Sequence, residues 1–361
     1  MKMKKVILST LGVGGLAAVV PAIVKAKRLF AVAGAAVLLA APAGAQTLIN
    51  GEGSTFDYPA FTKWFEACSK LDPGVRFNYQ SIGSGGGQKQ LVNRTVDFGA
   101  SDAPMTDEAM SKAPGKILHL PVVAGGVAII YNLKGNPKLK LDSDVLANIY
   151  LGNIAKWNDP KIRALNPGVD LPDLPIIPVH RSEGSGTTFI FTDYLSSVNP
   201  AWADTVGKST SVRWPAGIGL GAKGSEGVAG QVKQLPGAIG YAELAYADQN
   251  KIPYADVKNA AGNFIAPTPD SVSAALATAK IPDDFRFSMV NAPGDKAYPI
   301  AGASWILVYQ QQKNAEHGKR LVAFLKWVVT EGQKISSTLD YAPLPDDIQR
   351  RELDLIGTIK Y

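Results

Sequence analysis

Apolar residues recur along this chain in two rhythms. Short runs such as Val75-Arg76-Phe77-Asn78-Tyr79, Gly125 through Tyr131 and Ser304 through Tyr309 are rich in β-branched and aromatic residues, over lengths that suit strands. Between them, apolar residues at helical spacing predict helices over 61–70, 88–94, 143–151, 189–195, 227–234, 271–277 and 313–330. In the last of these, Leu321, Phe324, Leu325 and Val328 fall on one face. The alternation predicts an α/β protein. Proline-containing stretches at 172–178 and 343–345 predict loops, and no internal repeat is visible. The long apolar runs 121–132 and 298–310 predict crossings between two lobes, the C-terminal segment returning to the first. A cleft between the lobes follows, and such clefts suit small ligands that hinge closure can bury.

The first 45 residues stand apart from this pattern. They hold six lysines and arginines and no acid, with two apolar runs separated by Lys25-Ala26-Lys27-Arg28. The second run, Leu29 to Ala41, is followed by Ala43-Gly44-Ala45, the small-x-small pattern that a signal peptidase reads, so residues 1–45 are expected to be a signal segment and the mature chain to begin near Gln46. The first run, Val6 to Val24, fits either a membrane anchor weakened by glycines and Pro21, or an unusually long or upstream-extended signal.

Charge and composition then exclude several classes. Removing the six N-terminal cations from the 37 in the chain leaves 31 basic against 31 acidic residues. A balanced mature chain lacks the net positive charge expected for nucleic-acid binding, and any anion must be held by local dipoles and one or two charges. About 316 residues remain, which suits two domains better than one. The single cysteine, Cys68, forbids an intramolecular disulfide and predicts a small buried hydrophobe on a helix. His119, His180 and His317 lie far apart, without metal-ligand spacing, so no metal is expected. Gly207-Lys208-Ser209-Thr210 resembles the end of a Walker A loop, but Trp202 stands where that motif needs glycine, and Gly-x-Ser-x-Gly is absent.

The chemistry concentrates in three turns that pair glycine with hydroxyl side chains: Gly53-Ser54-Thr55-Phe56, Gly83-Ser84-Gly85-Gly86-Gly87, and Arg181-Ser182-Glu183-Gly184-Ser185-Gly186-Thr187-Thr188. Each precedes a predicted helix, whose first N–H groups are unpaired and carry partial positive charge. Each alone is also what an ordinary capped loop looks like. Three in one chain, one with an arginine, point to an oxyanion cradle.

With these turns goes a resemblance. The chain resembles the periplasmic phosphate-binding proteins of high-affinity phosphate ABC transporters over essentially the whole mature length. The stretches that carry it are Gly51 through Phe56, Tyr79 through Gly86, Val96 through Pro104, Ile149-Tyr150-Leu151-Gly152 with Lys156-Trp157, Arg181 through Phe189, Leu235 through Tyr241 and Leu339 through Pro345. The resemblance implies the two-lobed type II periplasmic binding protein fold, two α/β domains joined by a hinge with the ligand cleft between them. Expected boundaries are 46–125 with 299–361 for lobe I and 126–298 for lobe II. It implies inorganic phosphate as ligand, the membrane permease and ATPase subunits of a phosphate ABC transporter as partners, a monomer in the periplasm, no cofactor and no enzymatic activity.

By the same resemblance, Thr55 and Phe56 supply a hydroxyl and backbone N–H groups, Ser84 donates from the second turn, and Ser185, Gly186 and Thr187 from the third. Arg181 supplies the charge and Glu183 orients it. Asp102 would accept the proton that phosphate carries near neutral pH and sulfate lacks, which discriminates the two in a dry site; otherwise it is a turn aspartate before Pro104. One departure is His180, where relatives often carry a second basic residue, so the approach field and pH response are left open. Two other readings stay open: a phosphate-ester hydrolase, for which no nucleophile with an adjacent histidine base is visible, and a binder of sulfate, molybdate, an organic phosphate or arsenate.

Overall fold

The computed structural model describes residues 46–215 and 217–361, so the expected signal segment and the apolar run Val6 to Val24 lie outside the described residues. The strands are β1 (Thr47–Gly53), β2 (Val75–Ser81), β3 (Phe98–Ser101), β4 (Ile117–Tyr131), β5 (Lys140–Leu141), β6 (Ile177–Arg181), β7 (Leu220–Ala222), β8 (Ala238–Glu243), β9 (Asp256–Lys258), β10 (Phe264–Ile265) and β11 (Ala301–Tyr309). Eight form one sheet in the order β2-β1-β3-β11-β4-β8-β6-β7, and β10-β9-β5 form a small second one.

Strand β4 explains how the large sheet is organised. Its residues from Ile117 to Gly126 pair with β11, and those from Val127 to Tyr131 pair with β8, both antiparallel. All fifteen of its residues are buried, so its near-continuous apolar run is one strand shared by two half-sheets. On one side β1 lies parallel between β2 and β3; on the other β6 lies parallel between β7 and β8. The run 298–310 crosses only at its start: Val127 N–H donates to Ile300 O at 2.9 Å, after which β11 sits between β3 and β4.

The predicted helices form, that at Ser143–Leu151 with the expected ends and the others with ends shifted by a few residues. Tyr58–Leu71 and Ala315–Val329 cover the first half-sheet, where Phe61, Phe65, Phe77, Tyr79, Phe98 and Phe324 make one aromatic stack with ring centroids 4.6–6.3 Å apart. Leu321, Phe324, Leu325 and Val328 are all buried, as their shared face predicts. Cys68 is buried in a helix, and burial pushes its thiol up to about 12. The stretch 172–178 is not wholly loop, because Ile177 and Pro178 begin β6. Proline is tolerated there because it opens the strand: pairing to β7 starts only at Val179, so no ladder donor is lost on that side.

Candidate functional site

Strands β1, β3 and β6 end at the same place, where the half-sheets meet, which is where open α/β sheets bind ligands. The turns after β1 and β6, the residue after β3, and the starts of four helices converge there. These helices are Tyr58–Leu71, Ser84–Val92, Gly186–Val198 and Gly224–Gln234. Their unpaired first N–H groups and aligned dipoles make a positive region without many charged side chains.

The first turn is shaped from behind by three tyrosines. Tyr79 Oη donates to Ser54 O at 2.7 Å, Tyr246 Oη to Thr55 O at 2.5 Å and Tyr341 Oη to Phe56 O at 2.6 Å. Because a trans peptide points its N–H opposite its C=O, holding three successive carbonyls turns the N–H groups of Thr55, Phe56 and Asp57 away from the tyrosines. Phe56 N–H meets Ser54 Oγ at 2.9 Å. Thr55 Oγ1 lies 2.9 Å from Ser225 Oγ and accepts Ser225 N–H at 3.2 Å, which ties the first turn to the fourth helix.

The second and third turns touch across the cleft. Gly83, at φ +88, holds the left-handed conformation that glycine favours, and Gly85 N–H donates to Gly184 O at 2.9 Å. Ser84 Oγ accepts Asp102 N–H at 3.0 Å, which leaves the hydroxyl hydrogen free to donate. Gly186 packs so closely that a Cβ there would lie 2.5 Å from Ser84 Oγ and 2.6 Å from Asp102 Cβ. Ser185 caps the third helix by accepting Thr188 N–H at 3.1 Å, so Gly186 and Thr187 occupy the unpaired first positions.

Arg181 is 4% exposed, which rules out a surface charge. Its Nε donates to Glu183 Oε1 at 2.8 Å and Nη2 donates to the same oxygen, which also accepts Gly224 N–H at 3.1 Å. With that edge fixed, Nη1 faces inward, 3.3 Å from Thr187 Oγ1 and 3.3 Å from Ser225 Oγ. Opposite stands Asp102, 2% exposed: Oδ1 accepts from Ser54 and, at 2.9 Å, from Ser304 Oγ, while Oδ2 has Thr187 Oγ1 at 3.5 Å. Burial raises the Asp102 carboxyl to about 6, opposed by the Ser54 and Ser304 hydrogen bonds and the Arg181 charge.

The structure thus brings Thr55, Phe56, Ser84, Asp102, Arg181, Ser185, Gly186 and Thr187 together, with Glu183 behind the arginine. His180 points elsewhere: its ring stacks on Trp214 at 4.6 Å and its Nδ1 lies 3.0 Å from Arg181 O. Sequence reasoning missed Ser225, although Gly224-Ser225 before a helical run repeats the glycine–hydroxyl signal. It named Ser54 only as part of the first turn and missed Asp57 beside it and Ser304 from β11, which with Ser54 surround Asp102. Among the described residues no group of three or more His, Cys, Asp or Glu is placed to hold a metal ion.

Comparison with known proteins places this architecture. A family model described as the PBP superfamily domain matches residues 40–331. The phosphate-binding protein PstS of Pasteurella multocida is 44% identical over 308 residues, covering 84% of this chain and 88% of that protein. The PstS of Haemophilus influenzae is 44% identical over 304 residues, 83% of this chain and 90% of that one. A solved high affinity periplasmic phosphate-binding protein, PfluDING, bound with phosphate, shares the fold at a TM-score of 0.69 and 24% identity, covering 84% of this chain and 92% of that chain. The chain belongs to the PBP superfamily, in the family of phosphate-binding proteins named PstS.

Proposed function

We propose that this protein binds inorganic phosphate in the periplasm and delivers it to the permease and ATPase subunits of a phosphate ABC transporter, acting as a monomer and without turnover. Phosphate is held by Thr55, Phe56, Ser84, Asp102, Arg181, Ser185, Gly186 and Thr187, with Glu183 orienting the arginine. The observation that carries the reading is Asp102: a buried carboxylate faces the hydroxyl, backbone N–H and guanidinium donors of the site. Such a group repels an anion unless the anion brings a proton to share, as phosphate does near neutral pH and sulfate does not.

The two lobes are assigned to 46–125 with 299–361 and to 126–298, supported by the change of β4 partner at Gly126/Val127. Hydrogen bonds from Ser225 to Thr55 and from Gly85 to Gly184 join them, so this is the closed arrangement, and opening requires those contacts to break. Calorimetric titration of the purified protein with phosphate, sulfate and arsenate tests the reading. Tight phosphate binding with little heat from sulfate is expected; equal affinity for the two would refute it.

A further inference from the structure

One carboxyl of the cradle has no part in this scheme. Asp57 precedes the helix Tyr58–Leu71 at its N-cap position, yet makes no side-chain cap hydrogen bond and is fully buried. Its Oδ2 lies 2.6 Å from Ser304 Oγ, and its Oδ1 has no partner among the described residues. The same Ser304 Oγ lies 2.9 Å from Asp102 Oδ1.

A hydroxyl has one hydrogen, and it can serve only one of these two carboxyls. With both ionised, one contact would press two lone pairs together in a site shut off from water, beside a second uncompensated charge. A single added proton removes the conflict by forming a chain: one acid donates to Ser304 Oγ, and Ser304 donates to the other carboxylate. The surroundings decide which acid holds the proton. Asp102 also receives the Ser54 hydroxyl and faces Arg181 and Thr187, all of which favour its charged form. Asp57 keeps one oxygen without a partner among the described residues, and burial and the nearby Asp102 charge raise its carboxyl well above the usual range, opposed by Ser304, its own backbone N–H and Ser54. The other titratable groups that face the pair are Tyr79, Tyr246 and Tyr341, which donate to backbone carbonyls.

We propose that Asp57 is a specificity-determining positioning residue: held neutral, it donates to Ser304 and so fixes the Ser304 hydroxyl on Asp102 Oδ1, keeping Asp102 an ionised acceptor for a ligand that carries a proton. The proposal rests on the phosphate reading of the site. In this scheme the Asp57 carboxyl acts through Ser304.

Two measurements on the purified protein test it. Infrared spectra at neutral pH, without any ligand, read protonated carboxyls directly; Asp57→Asn is expected to remove one such band from the parent spectrum, and an unchanged band pattern overturns the proposal. This readout is independent of phosphate, so it separates failure here from failure of the proposed function. Calorimetry then reads the phosphate-to-sulfate affinity ratio. Asp57→Ala and Ser304→Ala are expected to lower it about tenfold, the scale of one hydrogen bond to a charged group. Asp57→Asn, whose amide N–H replaces the donated proton, is expected to restore it relative to Asp57→Ala. A ratio unchanged in both alanine variants, or lost as fully in Asp57→Asn as in Asp57→Ala, overturns the positioning role.

Discussion

Gly186→Ala isolates closure of the cleft from its chemistry. Gly186 opens the helix Gly186–Val198 with an ordinary helical backbone, so alanine costs nothing in dihedral strain and would favour an isolated helix by roughly 0.5–1 kcal/mol. The new Cβ, however, would lie 2.5 Å from Ser84 Oγ, 2.6 Å from Asp102 Cβ and 2.7 Å from Asp102 Cα, all across the cleft. Two of these are parts of the chain that no side-chain rotation moves, so the lobes must separate by about an ångström. Overpacking of this kind costs roughly 1–3 kcal/mol. Since the open form lacks the clash, the cost falls on the closed, ligand-bound form alone and weakens phosphate binding roughly 5–150-fold. Calorimetry gives the affinity, and small-angle scattering with and without phosphate gives the degree of closure. Unchanged affinity with full closure would refute the packing argument. Weak binding with a lowered melting temperature of the ligand-free protein would refute the claim that only closure is affected.

Arg181→Ala removes the one cation within the three turns and should weaken phosphate binding by roughly 2–5 kcal/mol in calorimetry, the range for breaking a buried charge pair; near-parent affinity would sink the assigned site. Asp102→Asn can turn an amide donor toward an oxygen that carries no proton, so competition titrations should show sulfate gaining on phosphate; an unchanged ratio would make Asp102 a structural turn residue. The raised Asp102 carboxyl also predicts a pH effect. The folded, ligand-free protein keeps a proton that the unfolded chain releases between about pH 4 and 6, so this group's contribution makes folding less favourable as pH rises through that window. Thermal melts of the parent against Asp102→Asn across that range check the sign; a parent that gains stability relative to the variant contradicts it. Mass spectrometry of the exported protein should find the N-terminus near Gln46, and the intact chain in a membrane fraction would contradict this.

Much of this was legible in the sequence because it is local. Strand and helix periodicity, the burial of Leu321, Phe324, Leu325 and Val328, and the glycine–hydroxyl turns depend on residues a few positions apart. The resemblance to phosphate-binding proteins supplied the roles that turn chemistry alone left open. Local signals misled where packing overrode them. The helix expected from Gln88 starts at Ser84, in spite of three consecutive glycines that disfavour helix, and close approach of other backbone segments to Gly85 and Gly87 is what requires glycine at those two positions.

What only the tertiary structure decided is which distant residues come within hydrogen-bond reach of one another. Ser304 and Asp57 are 247 positions apart, and Thr55 and Ser225 are 170 apart, so no spacing rule connects them. The strand order that sets β11 between β3 and β4 brings Ser304 onto Asp102, and the tyrosines behind the first turn come from three separate elements. A sequence names the groups able to ionise. Their protonation depends on desolvation and on neighbours within hydrogen-bond reach, which exist only once the chain has folded and closed water out of the site.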